Sequence, residues 1–449
     1  MVKVDTRYIR WGILGIILLL GAFLRLQLIS DTEVSYPLRA DAGHYYFSAL
    51  NMKVFGIYSA DRVLLKPGNK VLPQPDCRRP PGYPLFLTPF VTYPPTSSML
   101  ANILLAQVFL GVMTILGTFL FMRCCTGVII SMGTALLVAL SPHLVASGVY
   151  VLTETLSACT LVFFAWSVMK FQNRYSPYWA LTMGLLLALS TMVRFTTLYF
   201  LILLIPFIFC SLPRKKAALS LMIVLGFMII YGPWVARNKI VLSNSPGTSL
   251  AQDTVHKGMY PWLKYKGDPR TFGYPNRVDP EWETFHDMKS VLSEIRRRFM
   301  ENPQQYSLWY LVGKPYYFLS WDMIVGVGDV FIYPLLKNGY ETNVFLKAGH
   351  GMMRILHWPI IIASLLSMLL IWVPNISKNI SPRLLFGGRF LSLLYGYFIL
   401  VHVVGTPLPR YSVPLRPIIY SLALILPSLV HQGMSKPSQL SGDKKIPEG

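Results

Sequence analysis

The chain of 449 residues is 53% hydrophobic and 14% charged, with a mean hydropathy of +0.47. So little polar surface cannot cover a soluble globule of this size, and the composition specifies a polytopic membrane protein. The formal net charge of +21 invites a nucleic-acid partner, but the basic residues gather in short connections between apolar runs, which excludes that reading.

Runs long enough to cross about 30 Å of hydrocarbon recur along the chain. They lie near Trp11–Ile29, Leu100–Met122, Gly127–His143, Thr153–Met169, Tyr178–Val193, Phe195–Leu212, Ala217–Trp234, Met352–Val373, Phe386–Val404 and Ser412–Val430. The first follows Lys3, Arg7 and Arg10. It is too long for a signal-peptide core and lacks a small-residue cleavage site, so it reads as a retained helix with a cytoplasmic N-terminus. Arg25, near its outer end, is expected to snorkel to the interface. Threading the ten runs alternately puts Arg123, Lys170, Arg174, Arg214, Lys215, Lys216, Lys378, Arg383 and the tail residues Lys436, Lys444 and Lys445 on the cytoplasmic side, as the positive-inside rule asks. Of 20 acidic residues, only Asp5, Asp443 and Glu448 fall clearly there. Tyr178–Cys210 is 33 residues long, about twice a short span at ~1.5 Å per residue. It therefore crosses as a hairpin, with Arg194 at the outer turn.

Two long stretches break the pattern, residues 31–98 and 238–350, and both fall outside. In the first, Ala42, Tyr45, Tyr46, Ala49, Leu50 and Val54 recur at helical spacing before Gly56, which predicts an amphipathic helix on the membrane surface. In the second, Asp279-Pro280 predicts a helix over Glu281–Met300, ending in Arg296–Arg298, and Asn302-Pro303 starts another. Tyr306–Tyr333 is interrupted by Lys314, Pro315, Asp322 and Asp329 and is read as packing at the interface rather than spanning. Residues 1–430 thus form one transmembrane domain, and 431–449 a flexible cytoplasmic tail. Among the five cysteines, only Cys77 lies in an outer loop, so no disulfide framework is expected. His44, His256 and His286 are scattered and support no metal site.

Asp41 stands directly before the predicted surface helix. Spacing alone favours an N-cap over a general base, and one residue can be both. Glu154, in Tyr150–Leu156, is an acid at the mouth of a span; it either faces a cavity or partner or begins the helix. Arg194 is a snorkelling arginine or a fixed cation for a lipid phosphate. Arg78-Arg79-Pro80-Pro81-Gly82-Tyr83-Pro84, Arg237-Asn238 and Arg410-Tyr411 add outer-surface cations that together would rim an outward cavity.

The order of these features resembles the superfamily C (GT-C) glycosyltransferases, particularly the bacterial protein O-mannosyltransferase and aminoarabinose transferase branch. The resemblance runs from the outer Asp41 and the helix ending near Gly56-Ile57-Tyr58-Ser59, through Arg79–Pro84, Thr153-Glu154, Arg194 and Pro233-Trp234…Arg237-Asn238, to Arg410-Tyr411…Pro414. It implies an all-α GT-C bundle of about ten helices with two long extracytoplasmic loops, in the cell (inner) membrane. It also implies a sugar donor carried on polyprenyl phosphate and an extracytoplasmic acceptor that is a glycan, lipid or protein. Asp41 would be the base, and Glu154 a second acid orienting the acceptor or a divalent cation. Arg194, Arg410, Arg237 and Arg79 would hold the donor phosphate; His44, Tyr45, Tyr83 and Tyr411 would line the acceptor side. The chain departs from the pattern where Ala42 follows Asp41 in place of a second acid, and where Arg78-Arg79 replaces an acidic residue of some lipid-modifying members. A lipid or solute transporter, or a non-catalytic membrane subunit, are the readings from other classes; the first would show repeats and broken mid-span helices, and neither is visible.

Overall fold

In this computed structural model the residues described are 6–63, 71–211, 216–242, 250–285 and 287–434. Lys3, Asp5, Arg214, Lys215, His286 and residues 435–449 of the expected flexible tail, with Lys436, Asp443, Lys444, Lys445 and Glu448, lie outside them, whereas residues 431–434 of that tail are helical.

Among the described residues the regular secondary structure is almost wholly helical. In order come α1 (Thr6–Asp31), α2 (Ala40–Phe55), α3 (Gly82–Leu87), α4 (Ser97–Cys125), α5 (Val128–Leu140), α6 (Pro142–Ala146), α7 (Glu154–Arg174), α8 (Pro177–Val193), α9 (Phe200–Ser211) and α10 (Lys216–Val241). The second half holds α11 (Leu250–Gly258), α12 (Met288–Glu301), α13 (Pro303–Leu308), α14 (Lys314–Leu319), α15 (Gly339–Thr342), α16 (Val344–Leu370), α17 (Pro374–Ser377), α18 (Pro382–Val404) and α19 (Arg416–Met434). Strand β1 (Glu33–Val34) pairs antiparallel with β2 (Leu335–Lys337), joining the two long loops. Among the described residues six helices are each long and apolar enough to cross a membrane, and α5 with the segment Pro142–Val149, bent by 49°, brings the number to seven where the pair is counted as one span. Each of the ten runs predicted from sequence lies largely on one helix: α1, α4, α5, α7, α8, α9, α10, α16, α18 and α19. The protein is a multi-pass membrane protein.

Local chemistry sets the boundaries. The side chains of Thr96, Ser176 and Asn343 accept from the first amides of α4, α8 and α16. Gly56 closes α2 at φ 68°, a left-handed conformation in which a Cβ is costly. α8 and α10 pack backbone against backbone: a Cβ on Gly184 would stand 2.0 Å from Ile223 O, and one on Gly226 2.2 Å from Leu181 O. Small residues bring membrane helices this close because dispersion must replace the hydrophobic drive.

Three expectations are revised. Arg25 does not snorkel: it is 3% exposed, donates to Gly21 O at 2.9 Å, and reaches the last carbonyls of α5 at 3.4–3.5 Å. Those carbonyls are the negative end of a helix dipole, and Gly111 leaves the room the guanidinium needs. The helix expected to follow Asp279-Pro280 starts at Met288, where Asp287 and Ser290 form a reciprocal capping box. Asp279 is drawn inward instead, accepting from Tyr260 Oη beside Arg298. Helix α2 is buried over most of its circumference rather than along one stripe, because the first loop folds over it: Asn51 Nδ2 donates to Ser59 O and Asp61 O, and Lys53 Nζ to Val91 O.

The segment 303–319 is helical, with a π-helical turn at Trp309–Gly313, and gives way to turns after Leu319. Lys314, fully buried, donates to Val403 O and Gly405 O and so caps the C-terminal end of α18.

Candidate functional site

At the bundle end that carries both long loops, five charged side chains from distant parts of the chain form one continuous network. Asp41 lies in the first turn of α2. The helix N-cap is Arg39, without a side-chain cap bond, so Asp41 is not the cap. Its carboxylate turns outward because two guanidiniums offer charge-assisted bonds stronger than those of backbone amides. Arg79 Nη2 donates to Oδ1 at 2.7 Å and Arg410 Nη2 to Oδ2 at 2.7 Å. The preceding Ala40 is held at φ 46°, a conformation that costs an L-residue about 1–2 kcal/mol.

Glu154 is the first residue of α7, and its side chain is fully buried. Its Oε1 accepts from Arg410 Nε at 3.0 Å and Arg194 Nη1 at 3.3 Å, while Oε2 has no protein partner. Arg410 therefore bridges the two acids, one through Nη2 and one through Nε. Arg194 and Arg410 both lie over Tyr411, 5.0 and 5.7 Å from the ring centre. The row runs Arg79, Asp41, Arg410, Glu154, Arg194: three cations against two anions, a net +1.

Electrostatics follow from this packing. Burial alone would favour the neutral acid at Asp41, but Arg410 and Arg79 outweigh it and hold the carboxyl far below the usual range. Burial opposes the charge on Arg79, yet Tyr45 and Asp41 raise its pKa further. His44, exposed at the rim, is lowered by partial burial and by Arg79. Lys257 on α11 is lowered to about 8 by burial and by Arg277; the two cations stand 4.5 and 4.3 Å from the ring centre of Tyr274.

The remaining predicted residues separate into near and far. Tyr45 forms the wall behind Arg79, accepting from its Nη1 at 3.1 Å. Tyr83 does not face the acceptor side: it is fully buried edge-on to Tyr45, and its hydroxyl donates to Gln107 Oε1 at 2.9 Å. Arg237 joins neither carboxylate. Its Nη1 donates to Asp76 O and Asn238 Oδ1 and its Nη2 to Tyr58 O, holding the first loop down.

Sequence reasoning missed Gln107. Its Nε2 donates to Gly148 O at 3.1 Å and Tyr150 O at 3.0 Å, so it ties the turn leading to Glu154 to the tyrosines behind Asp41. The signal was an amide in the middle of the apolar run Leu100–Met122, where a polar group needs a partner. Gly82 lies in the proline-rich segment Arg79–Pro84. A Cβ there would stand 2.5 Å from Met192 O, so glycine lets the proline-rich loop dock against the end of α8, beside Arg194. Among the described residues no group of three His, Cys, Asp or Glu side chains could hold a metal ion.

Residues 78–236 match the family described as dolichyl-phosphate-mannose-protein mannosyltransferase. No curated protein sequence matches. Among solved structures, the archaeal oligosaccharyltransferase AglB from Archaeoglobus fulgidus, in complex with an inhibitory peptide and a dolichol-phosphate, is 12% identical with a TM-score of 0.54, over 95% of this chain and 50% of that one. The Archaeoglobus fulgidus oligosaccharyltransferase tethered to an acceptor peptide is 13% identical, also at 0.54, over 94% and 50%. ArnT from Cupriavidus metallidurans, bound to undecaprenyl phosphate, is 12% identical with a TM-score of 0.42, over 95% and 78%. The chain spans about half the length of the oligosaccharyltransferase it matches. The family match thus covers residues 78–236, about a third of the chain, and the bundle has the fold of a membrane oligosaccharyltransferase.

Proposed function

We propose that the protein moves a sugar from a polyprenyl-phosphate donor to a hydroxyl or amine on the extracytoplasmic face of the cell (inner) membrane, with both termini cytoplasmic. The observation that carries this reading is Arg410 bridging Asp41 and Glu154 at one mouth of the bundle. A lipid-phosphate donor is supported by the matched family, named for dolichyl-phosphate-mannose, and by the dolichol-phosphate bound to the archaeal enzyme of the same fold.

The acceptor X–H gives its proton to Asp41 while X attacks the anomeric carbon. The bond from that carbon to the phosphate oxygen breaks, and polyprenyl phosphate leaves with the bonding pair. Arg79, Arg194 and Arg410 stabilise the charge that grows on the departing phosphate. In this scheme the base acts from the face opposite the leaving group, and such a displacement inverts the anomeric centre. Glu154, buried and bonded to two arginines, fixes their positions. General-base assistance of this kind contributes about 10²–10⁴-fold. A divalent cation is not required by this scheme.

Asp41→Asn and Glu154→Gln, produced at wild-type levels in membranes, test the reading. Loss of a covalent sugar product in both is expected. Unchanged transfer overturns the assignment, and substrate movement without any covalent product favours a transporter.

A further inference from the structure

The arginines that the proposed reaction assigns to the donor are already engaged. Both oxygens of Asp41 are taken, one by Arg79 and one by Arg410, each at 2.7 Å. Arg79 spends a further donor on Tyr45, and Arg410 spends its Nε on Glu154. A carboxylate clamped between two guanidiniums presents the same pair of acceptor oxygens as a phosphodiester. It is also a weak base, because the two adjacent guanidiniums stabilise its charged form.

We infer that Asp41 stands in the place of the donor's phosphate: the arriving phosphodiester displaces it from Arg410 and Arg79, and this displacement frees it to act as the base. The inference rests on the donor reading proposed above. Burial decides which acid moves. The Glu154 side chain is fully buried and has nowhere to go, whereas that of Asp41 is 25% exposed at the start of a helix. Charge decides the sign: three guanidiniums and two carboxylates leave +1, so one phosphodiester neutralises the cluster once Asp41 yields its contacts. The consequence is an obligate order in which the donor binds first and the acceptor meets a competent base only afterwards. Without donor, the acceptor faces a carboxylate that cannot take its proton.

The test uses the full-length protein in detergent with undecaprenyl phosphate as the probe, comparing wild type, Asp41→Asn and Asp253→Asn. Asp253 pairs with Arg78 at 2.9 Å at the rim, so its variant removes a nearby negative charge without freeing Arg79 or Arg410. Displacement predicts that Asp41→Asn binds the probe about tenfold tighter or more, the loss of a competitor for charge-assisted bonds, while Asp253→Asn changes affinity by less than about threefold. Wild type is also labelled with a carbodiimide and an amine, and the reaction at Asp41 followed by peptide mass spectrometry; labelling should rise when the probe is bound. If neither wild type nor the variants bind the probe, the donor reading itself fails. Wild-type binding with equal or weaker affinity in Asp41→Asn, equal tightening in both variants, or protection of Asp41 on probe binding overturns displacement and leaves the donor reading standing.

Discussion

Arg410 holds the two acids together, and removing it exposes what each costs. Arg410→Ala leaves Asp41 on Arg79 alone and Glu154 buried beside Arg194 alone. Loss of one partner from a buried ionic group costs about 3–5 kcal/mol, and thermal unfolding should show it as a large drop in midpoint. Arg410→Lys keeps the charge but cannot reach both carboxylates through Nε and Nη2 at once, so transfer should fall nearly as far as in the alanine variant. The pH dependence of the Asp41 contribution follows from its lowered folded value. Its stabilisation is full above the unfolded value of about 3.9 and is lost only as pH falls toward the folded one. The difference in unfolding midpoint between wild type and Asp41→Asn should therefore be constant from pH 5 to 8 and shrink only below about pH 4. Lys257 behaves oppositely. With its ammonium lowered to about 8, it carries charge at pH 7 and is about 90% neutral at pH 9, so undecaprenyl phosphate binding should weaken over that interval. Lys257→Arg should remove the decline. At this scale the sequence exposed Asp41, Glu154, Arg194 and Arg410 as candidates but not their pairing. Helical spacing around Asp41 speaks only of neighbours along the chain, so the cap was the better local reading; Arg79 and Arg410, which overturn it, arrive through tertiary folding.

Helices position this network by close approach rather than by polar bonds. α8 carries Arg194 at its end, and its placement depends on Gly184 and Gly226 meeting across the α8–α10 contact. Gly226→Val puts new carbons about 2 Å from a backbone oxygen, an overpacking that costs about 1–3 kcal/mol or more. It should lower both the unfolding midpoint and transfer, whereas Gly232→Ala, in the same helix with only Met228 Cε within 4 Å of the new Cβ, should lower neither. The ten apolar helices were legible, because long apolar runs have one stable solution in lipid, whereas the short helices α3, α6, α11, α15 and α17 were not. Boundaries were legible where caps are local, as at Asn302-Pro303 and Gly56. They were not at Asp279-Pro280, where a buried tyrosine and arginine outbid the helix terminus for the same carboxylate.

The whole molecule places its charges with a consistent polarity. Asp41, Glu154, Arg194 and Arg410 gather at one end, while Cys125, Met169 and Gly387 meet at the other, where the short basic connections lie. Alternating hydrophobic runs and basic connections made this arrangement readable, since each crossing reverses the side. How two long loops, joined by β1 and β2, close over the mouth was not readable, because strand pairing and the Arg78–Asp253 contact join segments from opposite halves of the chain. The central claim is that Asp41 is the base of a lipid-phosphate-dependent sugar transfer. Mass spectrometry of envelope glycolipids and glycans from cells carrying wild type, no protein, or Asp41→Asn at matched membrane levels tests it most directly. A sugar adduct present with wild type and absent from the other two is predicted; the same adduct at wild-type abundance in Asp41→Asn would contradict it.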